Sequence, residues 1–206
     1  MGITERKERD RLQLREKIVT AAIELFLERG FEKTSIRTIA SAIEYSPATI
    51  YLHFKDKNEL FYEISERAFT VLYQYLQEAQ HLEPPIDRMR AMGMNYIKFA
   101  FENPGYYRLM FLMDAPMKTH HTDKNWKSGD HAFGYLVNTV HACQEDGYFK
   151  GKDTEVMSMM IWSFMHGIVS LKVCDRMKLQ EEEQVIEMIY AAFGTFNQFL
   201  RMDGPV

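Results

Sequence analysis

Apolar residues recur along this chain at the spacing of an α-helix rather than in the alternation of a β-strand. From Ile36 onwards, for example, isoleucine or alanine occupies positions i, i+3, i+4 and i+7, so one face of that segment is apolar. Proline and glycine interrupt the pattern, and no hairpin dipeptide separates alternating runs. We therefore predict an all-α protein with nine helices: about 9–29, two short helices between 34 and 54, then 56–80, 85–101, 106–113, 131–145, 154–177 and 181–202.

The segment from residue 34 to residue 60 predicts two short helices around a tight turn, followed by the start of a third helix. Ser46 is a favourable N-cap, and Pro47 stands at the first helical position, where its fixed φ suits a helix. We expect Ile50 and Phe54 to face the core. The outer surface of this short helix is then shared by Pro47, Ala48, Thr49, Tyr51, Leu52 and His53. Small and hydrogen-bonding side chains on a short helix fit the major groove, so the segment predicts a DNA-binding helix-turn-helix.

A composite motif extends this prediction over residues 12 to 62. It runs A-x-x-L-F-x-x-x-G-[FY]-x-x-T-[ST], then I-A, then S-x-x-T-[IL]-Y-x-[HY]-F-x-x-K, and it resembles the DNA-binding domain of the TetR family of transcriptional regulators. The matching positions are Ile18, Ala21, Ala22, Leu25, Phe26, Gly30, Phe31, Thr34, Ile39, Ala40, Ser46, Thr49, Ile50, Tyr51, Phe54, Lys57 and Leu60. The family usually has glycine in the turn, where this chain has Glu44. A positive φ would strain Glu44 by about 1 kcal/mol, so we expect the turn to relax locally.

The resemblance implies a helix-turn-helix DNA-binding domain at residues 1–56 and a helical ligand-binding and dimerisation domain at residues 57–206. The expected partner of the first domain is double-stranded operator DNA with an inverted repeat. Lys57 lies in the first turn of the next predicted helix, where free N–H groups favour a phosphate. Arg37 is the only long donor on the outer face of the helix before the turn. The expected DNA-binding residues are Ser35, Arg37, Ser46, Pro47, Ala48, Thr49, Tyr51, Leu52, His53 and Lys57.

The run from Trp162 to Gly167 resembles a W-x-x-x-H-G signature of one TetR subgroup, and the segment from Glu102 to Phe111 resembles the same subgroup. Trp162 and His166 are four residues apart and share a helix face. Two interpretations stay open for His166, a hydrogen-bonded core histidine or a ligand contact. The methionines and aromatics of this part fit either a plain core or the adaptable wall of an apolar pocket. The candidate ligand-binding residues are Tyr96, Phe99, Tyr106, Met110, Phe133, Val137, Trp162, Met165 and His166.

The last two predicted helices carry apolar residues on more than one face, such as Met160 and Phe164 on the first and Tyr190 and Phe199 on the second. One face can serve the core of the chain, and the surplus needs a partner. In the TetR family these two helices form a four-helix dimer interface, so the resemblance implies a homodimer. Gly194 would allow a close crossing there.

Charge is unevenly divided along the 206 residues, whose formal net charge is −4. Residues 1–60 hold 11 Lys and Arg against 10 Asp and Glu, and the remainder holds 14 against 19, so the basic share lies where DNA contact is expected. No apolar run reaches the roughly 18 residues of a spanning helix, and the N-terminus lacks an apolar signal core. We therefore expect a cytoplasmic protein with no membrane partner. Cys143 and Cys174 are expected to be reduced, buried thiols rather than a disulfide.

Two weaker patterns each have a plainer explanation. His120 and His121 with Asp123 fit a solvated polar loop better than a metal site, because no helical histidine spacing and no fourth ligand accompany them. The basic cluster from Arg6 to Arg11 is interleaved with acidic residues. It is either a mixed-charge helix start or an arm that contacts phosphates or the minor groove.

Together these features predict a ligand-responsive transcription regulator, most simply a repressor released from its operator by a small apolar or aromatic effector. We expect no cofactor and no metal. A helical small-molecule-binding enzyme is the alternative from another class, and a DNA binder without an effector is a third interpretation. Against an enzyme, the chain has no G-x-S-x-G, no H-E-x-x-H and no P-loop motif.

Overall fold

The computed structural model describes residues 2–113, 127–177 and 181–205, and within these ranges all regular structure is helical. This confirms the all-α prediction. The first helix begins at Ile3 rather than near Arg9, because the Glu5 carboxylate accepts a hydrogen bond from the Gly2 N–H at 3.0 Å. The helices are α1 (Ile3–Arg29), α2 (Ile36–Ala42), α3 (Pro47–Tyr51), α4 (Lys57–Gln77), α5 (Pro85–Glu102), α6 (Pro104–Phe111), α7 (Lys127–Glu145), α8 (Thr154–Val173) and α9 (Glu182–Met202).

The chain divides into two compact units, the first formed by residues 1–68 and 105–126 and the second by residues 69–104 and 127–206. The division differs from the simple cut after residue 56 that the sequence suggests, and the predicted domain boundary stays a prediction. Both α4 and α6 continue across the division. The predicted polar loop and its His120, His121 and Asp123 lie outside the described residues.

An apolar core holds α1 to α4 of the first unit together. The rings of Phe26, Phe31 and Phe61 lie 5.1 to 5.6 Å apart, and Ile50 and Phe54 are almost completely buried, as predicted. The buried Thr34 hydroxyl lies 2.9 Å from the Gly30 carbonyl oxygen, where it secures the chain between α1 and α2. The core therefore fixes the buried side of α3, which leaves its other side to solvent.

The turn between α2 and α3 is held by caps and backbone hydrogen bonds. The Ser46 hydroxyl accepts a hydrogen bond from the Thr49 N–H at 3.2 Å, and Pro47 occupies the first helical position, as predicted. Glu44 has a φ of +61°, so the expectation that the turn would relax is wrong. The Tyr45 N–H donates to the Ala40 carbonyl at 2.9 Å and thereby keeps Glu44 in the left-handed region.

The second unit packs α5 against α7, α8 and α9. At Gly93 of α5, a Cβ atom would lie 2.5 Å from the Phe193 ring of α9, so any larger residue would require that ring to move. The end of α4 is joined to α5 by the Tyr75 hydroxyl, which donates to the Glu102 carboxylate at 2.5 Å. Cys143 and Cys174 are free thiols, as predicted, but only Cys143 is buried, and Cys174 is partly exposed. Burial raises the pKa of Cys143 to about 12.

α8 is long and apolar enough to cross a membrane by length and composition alone, although the sequence contains no continuous apolar run of that length. Its polar side chains between Val156 and Leu171 are those of three serines and His166, none of which carries a fixed charge. A third of its most apolar stretch is buried within the chain. One such helix is weak evidence for a membrane, because a core or interface helix of a soluble protein has the same composition.

Candidate DNA interface and ligand site

The outer face of α3 is the most exposed apolar surface of the first unit's helix-turn-helix. Leu52 is 79% exposed and Tyr51 is 56% exposed, and Ala48 is exposed on the same short helix. Ile50 and Phe54 anchor the opposite side in the core. The buried side fixes the helix. The exposed side presents the Ala48 methyl group, the Leu52 isobutyl group and the Tyr51 phenol to solvent.

Two serines of the predicted interface serve as helix caps. Ser35 accepts from the Thr38 N–H at 3.1 Å, and Ser46 lies 2.9 Å from the Thr49 hydroxyl as well as capping α3. Arg37 is exposed in the first turn of α2. The serines therefore position α2 and α3, while Arg37 keeps a guanidinium in solvent.

Lys57 and His53 are partly buried at the two ends of the loop that joins α3 to α4. The Lys57 ammonium donates to the Phe31 carbonyl oxygen at 2.7 Å and lies 4.0 Å from the centre of the Phe31 ring. Burial and then the nearby Arg11 and Arg15 lower the pKa of His53, so its ring is neutral at neutral pH. Its buried Nδ1 has no hydrogen-bond partner among the described residues.

Two exposed residues of this region were not among the predicted contacts. Tyr45 is 42% exposed in the turn directly before the Ser46 cap, and Lys55 is exposed just before α4. Tyr45 directly precedes Ser46, and Lys55 lies two residues from both His53 and Lys57. Their closeness to predicted contacts in the sequence could have indicated them. Tyr45 adds a phenol and Lys55 adds a cation beside the face of α3.

Four predicted ligand-site residues of the second unit lie together. The Tyr96 hydroxyl is 3.5 Å from His166 Nδ1, and the ring centres of Trp162 and His166 are 5.7 Å apart. Phe133 meets Trp162 edge to face at 6.1 Å. Burial lowers the pKa of His166, which keeps the imidazole neutral and able both to donate and to accept a hydrogen bond.

The remaining ligand-site predictions are divided between the two units. Phe99, Val137 and Met165 belong to the second unit, where Phe99 is fully buried and meets the Tyr75 ring at 5.7 Å. Tyr106 and Met110 belong to the first unit, where Tyr106 packs against its core and Met110 is buried. The residues that the structure describes contain no group of three His, Cys, Asp or Glu side chains suited to a metal ion.

Comparison with protein families gives the identity of both parts of the chain. Residues 18–64 match the family described as bacterial regulatory proteins, tetR family, and residues 89–193 match the tetracyclin repressor-like C-terminal domain. The chain belongs to the TetR family. It is therefore a DNA-binding transcription regulator, and residues 18–64 cover α2, α3 and most of the face described above.

Individual TetR-family relatives support this assignment. A Bacillus subtilis (strain 168) protein named as an uncharacterized HTH-type transcriptional regulator, YobS, is 25% identical over 179 residues, which cover 87% of this chain and 88% of that protein. The HTH-type transcriptional regulator TcmR of Streptomyces glaucescens is 39% identical over 59 residues, or 29% of this chain and 25% of TcmR. These relatives are regulators and not enzymes.

Solved structures show the same fold. The TetR family regulator PfmR from Thermus thermophilus has a TM-score of 0.62 and 26% identity, with 74% of this chain and 84% of that chain covered. The fatty acid degradation regulator FadR from Bacillus halodurans has a TM-score of 0.71 with 15% identity, covering 87% of this chain and 93% of that one. Because FadR is only 15% identical, its similarity to this chain shows the fold alone.

Proposed function

We propose that this TetR-family chain is a repressor that binds an inverted-repeat operator as a homodimer and leaves it when a small apolar or aromatic effector binds. The observation that carries the proposal is the exposed face of α3, which presents Tyr51 and Leu52. Buried Ile50 and Phe54 fix the helix from its opposite side. A short helix of this kind fits the major groove. Because the core already fixes it, few of its side chains need to become ordered on binding. Because operators are chromosomal, we place the protein in the cytoplasm.

Base reading is assigned to the apolar side chains of α3 and to one arginine. Pro47, Ala48 and Leu52 can touch thymine methyl groups but cannot donate a hydrogen bond to guanine. Thr49 and Arg37 supply the donors on this face. Tyr51, His53 and Lys57 contact the phosphate backbone, with Ser35 and Ser46 close to it at the helix starts.

A second copy of the chain is the proposed partner of α8 and α9. Both helices expose large apolar side chains, and at both Gly167 and Gly194 a Cβ atom would meet nothing within 4 Å. Open space beside glycine on an apolar helix face suits the close approach of another helix. The exposed apolar side chains are Val156, Met159, Met160 and Leu171 on α8 and Met188, Tyr190, Phe199 and Met202 on α9.

The effector is proposed to bind beside the aromatic cluster of Trp162, His166, Tyr96 and Phe133 in the second unit. Flat rings and a neutral imidazole suit an uncharged or single-carboxylate guest, with His166 as its main polar contact. Tyr73 of α4 meets Tyr135 of α7 edge to face at 6.0 Å, so a guest that displaces α7 also displaces α4. Release requires that the guest prefer the released arrangement by several kcal/mol.

Selection from a random duplex DNA library tests the first half of this proposal. The chain should enrich an inverted repeat whose half-site centres are about one helical turn apart. Release of that DNA is then followed by fluorescence anisotropy while 2-naphthol, salicylate and decanoate are added as probes. Enrichment without release by any apolar probe would favour a DNA binder without an effector, and failure to enrich any repeat would reject the operator.

A further inference from the structure

Arg15 of α1 lies half-buried in a polar cluster of the first unit that joins α1, α4 and the segment directly after α3. Its Nη1 donates to the His53 carbonyl oxygen at 2.8 Å, and its Nη2 is paired with the Glu63 carboxylate of α4. The Nε atom is 3.3 Å from Glu63 Oε1, and the guanidinium carbon lies 4.2 Å from the centre of the Phe54 ring. Arg15 is therefore fixed from three directions and faces the protein rather than solvent.

The His53 carbonyl group stands where the chain leaves α3. The last carbonyl groups of a helix have no partner within it, and a cation placed there is favourable. The Ile50 carbonyl accepts hydrogen bonds from the N–H groups of His53 and Phe54 at 2.9 and 3.0 Å. The His53 carbonyl group, which directly follows the Leu52 C-cap of α3, is the one that Arg15 holds. The position of Arg15 consequently fixes the C-terminal end of the helix that presents Tyr51 and Leu52.

Glu63 is itself held from a second side. Arg67 of α4 donates to Glu63 Oε1 at 2.5 Å and to Glu16 Oε2 of α1 at 2.7 Å. The hydrogen bond from Arg67 lowers the pKa of Glu16, so this carboxylate is charged at neutral pH. Since Glu63 belongs to α4, rotation of α4 displaces the carboxylate to which Arg15 is paired.

We propose that Arg15 is a positioning residue for DNA docking, which fixes the end of α3 and transmits the position of α4 to it through Glu63. The inference rests on the proposed function that α3 docks in the major groove. A guanidinium suits the role because its planar fork can hold a carboxylate with two nitrogens and a carbonyl group with the third. The ammonium group of lysine has no such fork.

Arg15→Gln tests the proposal, with Arg29→Gln as the matched control. Arg29 lies in the last turn of α1, is exposed, and pairs with the neighbouring Glu28 at 3.4 Å. The probes are the inverted repeat that the wild-type chain selects from a random duplex library and an unrelated duplex of equal length. Arg15→Gln should weaken binding of the selected repeat about tenfold and leave the unrelated duplex within about twofold, with an unchanged salt dependence. Arg29→Gln should leave the ratio of the two affinities unchanged.

Glu63→Gln keeps the size of the side chain and removes the charge that holds Arg15. It should weaken selected binding about threefold, and the double variant should bind no more weakly than Arg15→Gln alone, because the two residues act through one contact. Thermal melting establishes that each variant is folded. If Arg15→Gln does not fold, the ratio of selected to unrelated affinity is measured for Arg15→Lys and Glu63→Gln instead, and a lowered ratio in these variants supports the proposal.

A folded Arg15→Gln variant with the wild-type ratio of selected to unrelated affinity would overturn the positioning role. Additive losses in the double variant would overturn the transmission through Glu63. Both outcomes leave the operator proposal intact. A wild-type chain that selects no DNA sequence would instead overturn the proposed function and this inference with it.

Discussion

The face of α3 and the shared face of α8 and α9 both expose large apolar side chains, but they differ in extent and surroundings. On α3 the exposed apolar part is limited to Ala48 and Leu52, and the same helix-turn-helix exposes Arg37, Tyr51 and the serine caps. On α8 and α9 it extends along helices of 20 and 21 residues and includes Met160 at 59% and Phe199 at 65% exposure.

The difference supports the proposal that the two exposed apolar surfaces of this chain serve different partners. A few apolar groups among donors suit DNA, whose groove offers isolated methyl groups within a polar surface. A long apolar face suits a second copy, since burial of apolar area is the main favourable term in stable association. Exposure alone therefore does not indicate the kind of partner. The polar groups around the exposed residues distinguish the two proposed partners.

The largest effect is expected from charging the long apolar face. Met160→Glu combined with Phe199→Glu should give a monomer, because two buried carboxylates would lack partners in the proposed dimer interface. Operator affinity should fall by about 100-fold or more when the two half-sites are no longer bound by one dimer. Sedimentation velocity and gel shift measure the two results.

Leu82→Glu is the matched control for that double variant. Leu82 is exposed in the turn after α4 and lies on neither α8 nor α9. It should leave the dimer and operator binding unchanged. A double variant that stays dimeric would show that the dimer uses another surface.

The small apolar face of α3 predicts a dependence on thymine methyl groups. Replacing thymine by uracil in the selected half-site should cost about 1–3 kcal/mol of binding at sensitive positions. Leu52→Ala should abolish that sensitivity at one position and leave the melting temperature unchanged, because Leu52 is exposed. Leu12→Ala, another exposed leucine on α1, serves as the control. Equal binding to thymine and uracil duplexes throughout would reject readout through methyl groups.

The effector site predicts a loss of response without loss of DNA binding. Trp162→Ala and His166→Ala should each raise the probe concentration needed for release at least about tenfold, as removal of a large buried aromatic or a polar anchor does. His141→Ala removes an exposed histidine of α7 and should respond as the wild type does. If both site variants fold, bind DNA and respond normally, the effector binds elsewhere.

Lys57 predicts an effect on salt dependence rather than on base preference. Lys57→Ala removes one proposed phosphate contact per subunit, so the slope of log K against log salt concentration should become shallower by about 2 in a dimer. Lys57 must first leave the Phe31 carbonyl group, which it binds in the absence of DNA. Lys152→Ala, an exposed lysine of the second unit, should leave the slope unchanged. A changed consensus with an unchanged slope would contradict the assignment.

The local features of the fold were predictable from the sequence because their causes lie within a few residues. The cap at Ser46, Pro47 at the first position of α3 and the buried pair Ile50 and Phe54 all follow from spacing and side-chain type. The aromatic pair Trp162 and His166 was placed on one helix face by the same reasoning.

Features that depend on distant contacts were not predictable. Arg15 is one of several charges in a mixed-charge segment, and its partners His53 and Glu63 are 38 and 48 residues away. Tyr106 and Phe133, both predicted to contact the effector, belong to different compact units, and a site that contains both stays a prediction. Glu44 was misjudged because its strained φ is maintained by the hydrogen bond from Tyr45 to Ala40, which propensity alone does not reveal.

The smallest effect is expected at Glu44, the residue with a φ of +61° between α2 and α3. Glycine has no Cβ atom to clash in this region, so Glu44→Gly should raise the free energy of unfolding by about 0.5–1 kcal/mol. Glu44→Ala removes the same charge but keeps the Cβ atom, and it should give no gain. Urea denaturation at several salt concentrations measures both. An equal gain in Glu44→Ala would show that lost charge repulsion, and not relief of backbone strain, stabilises the turn.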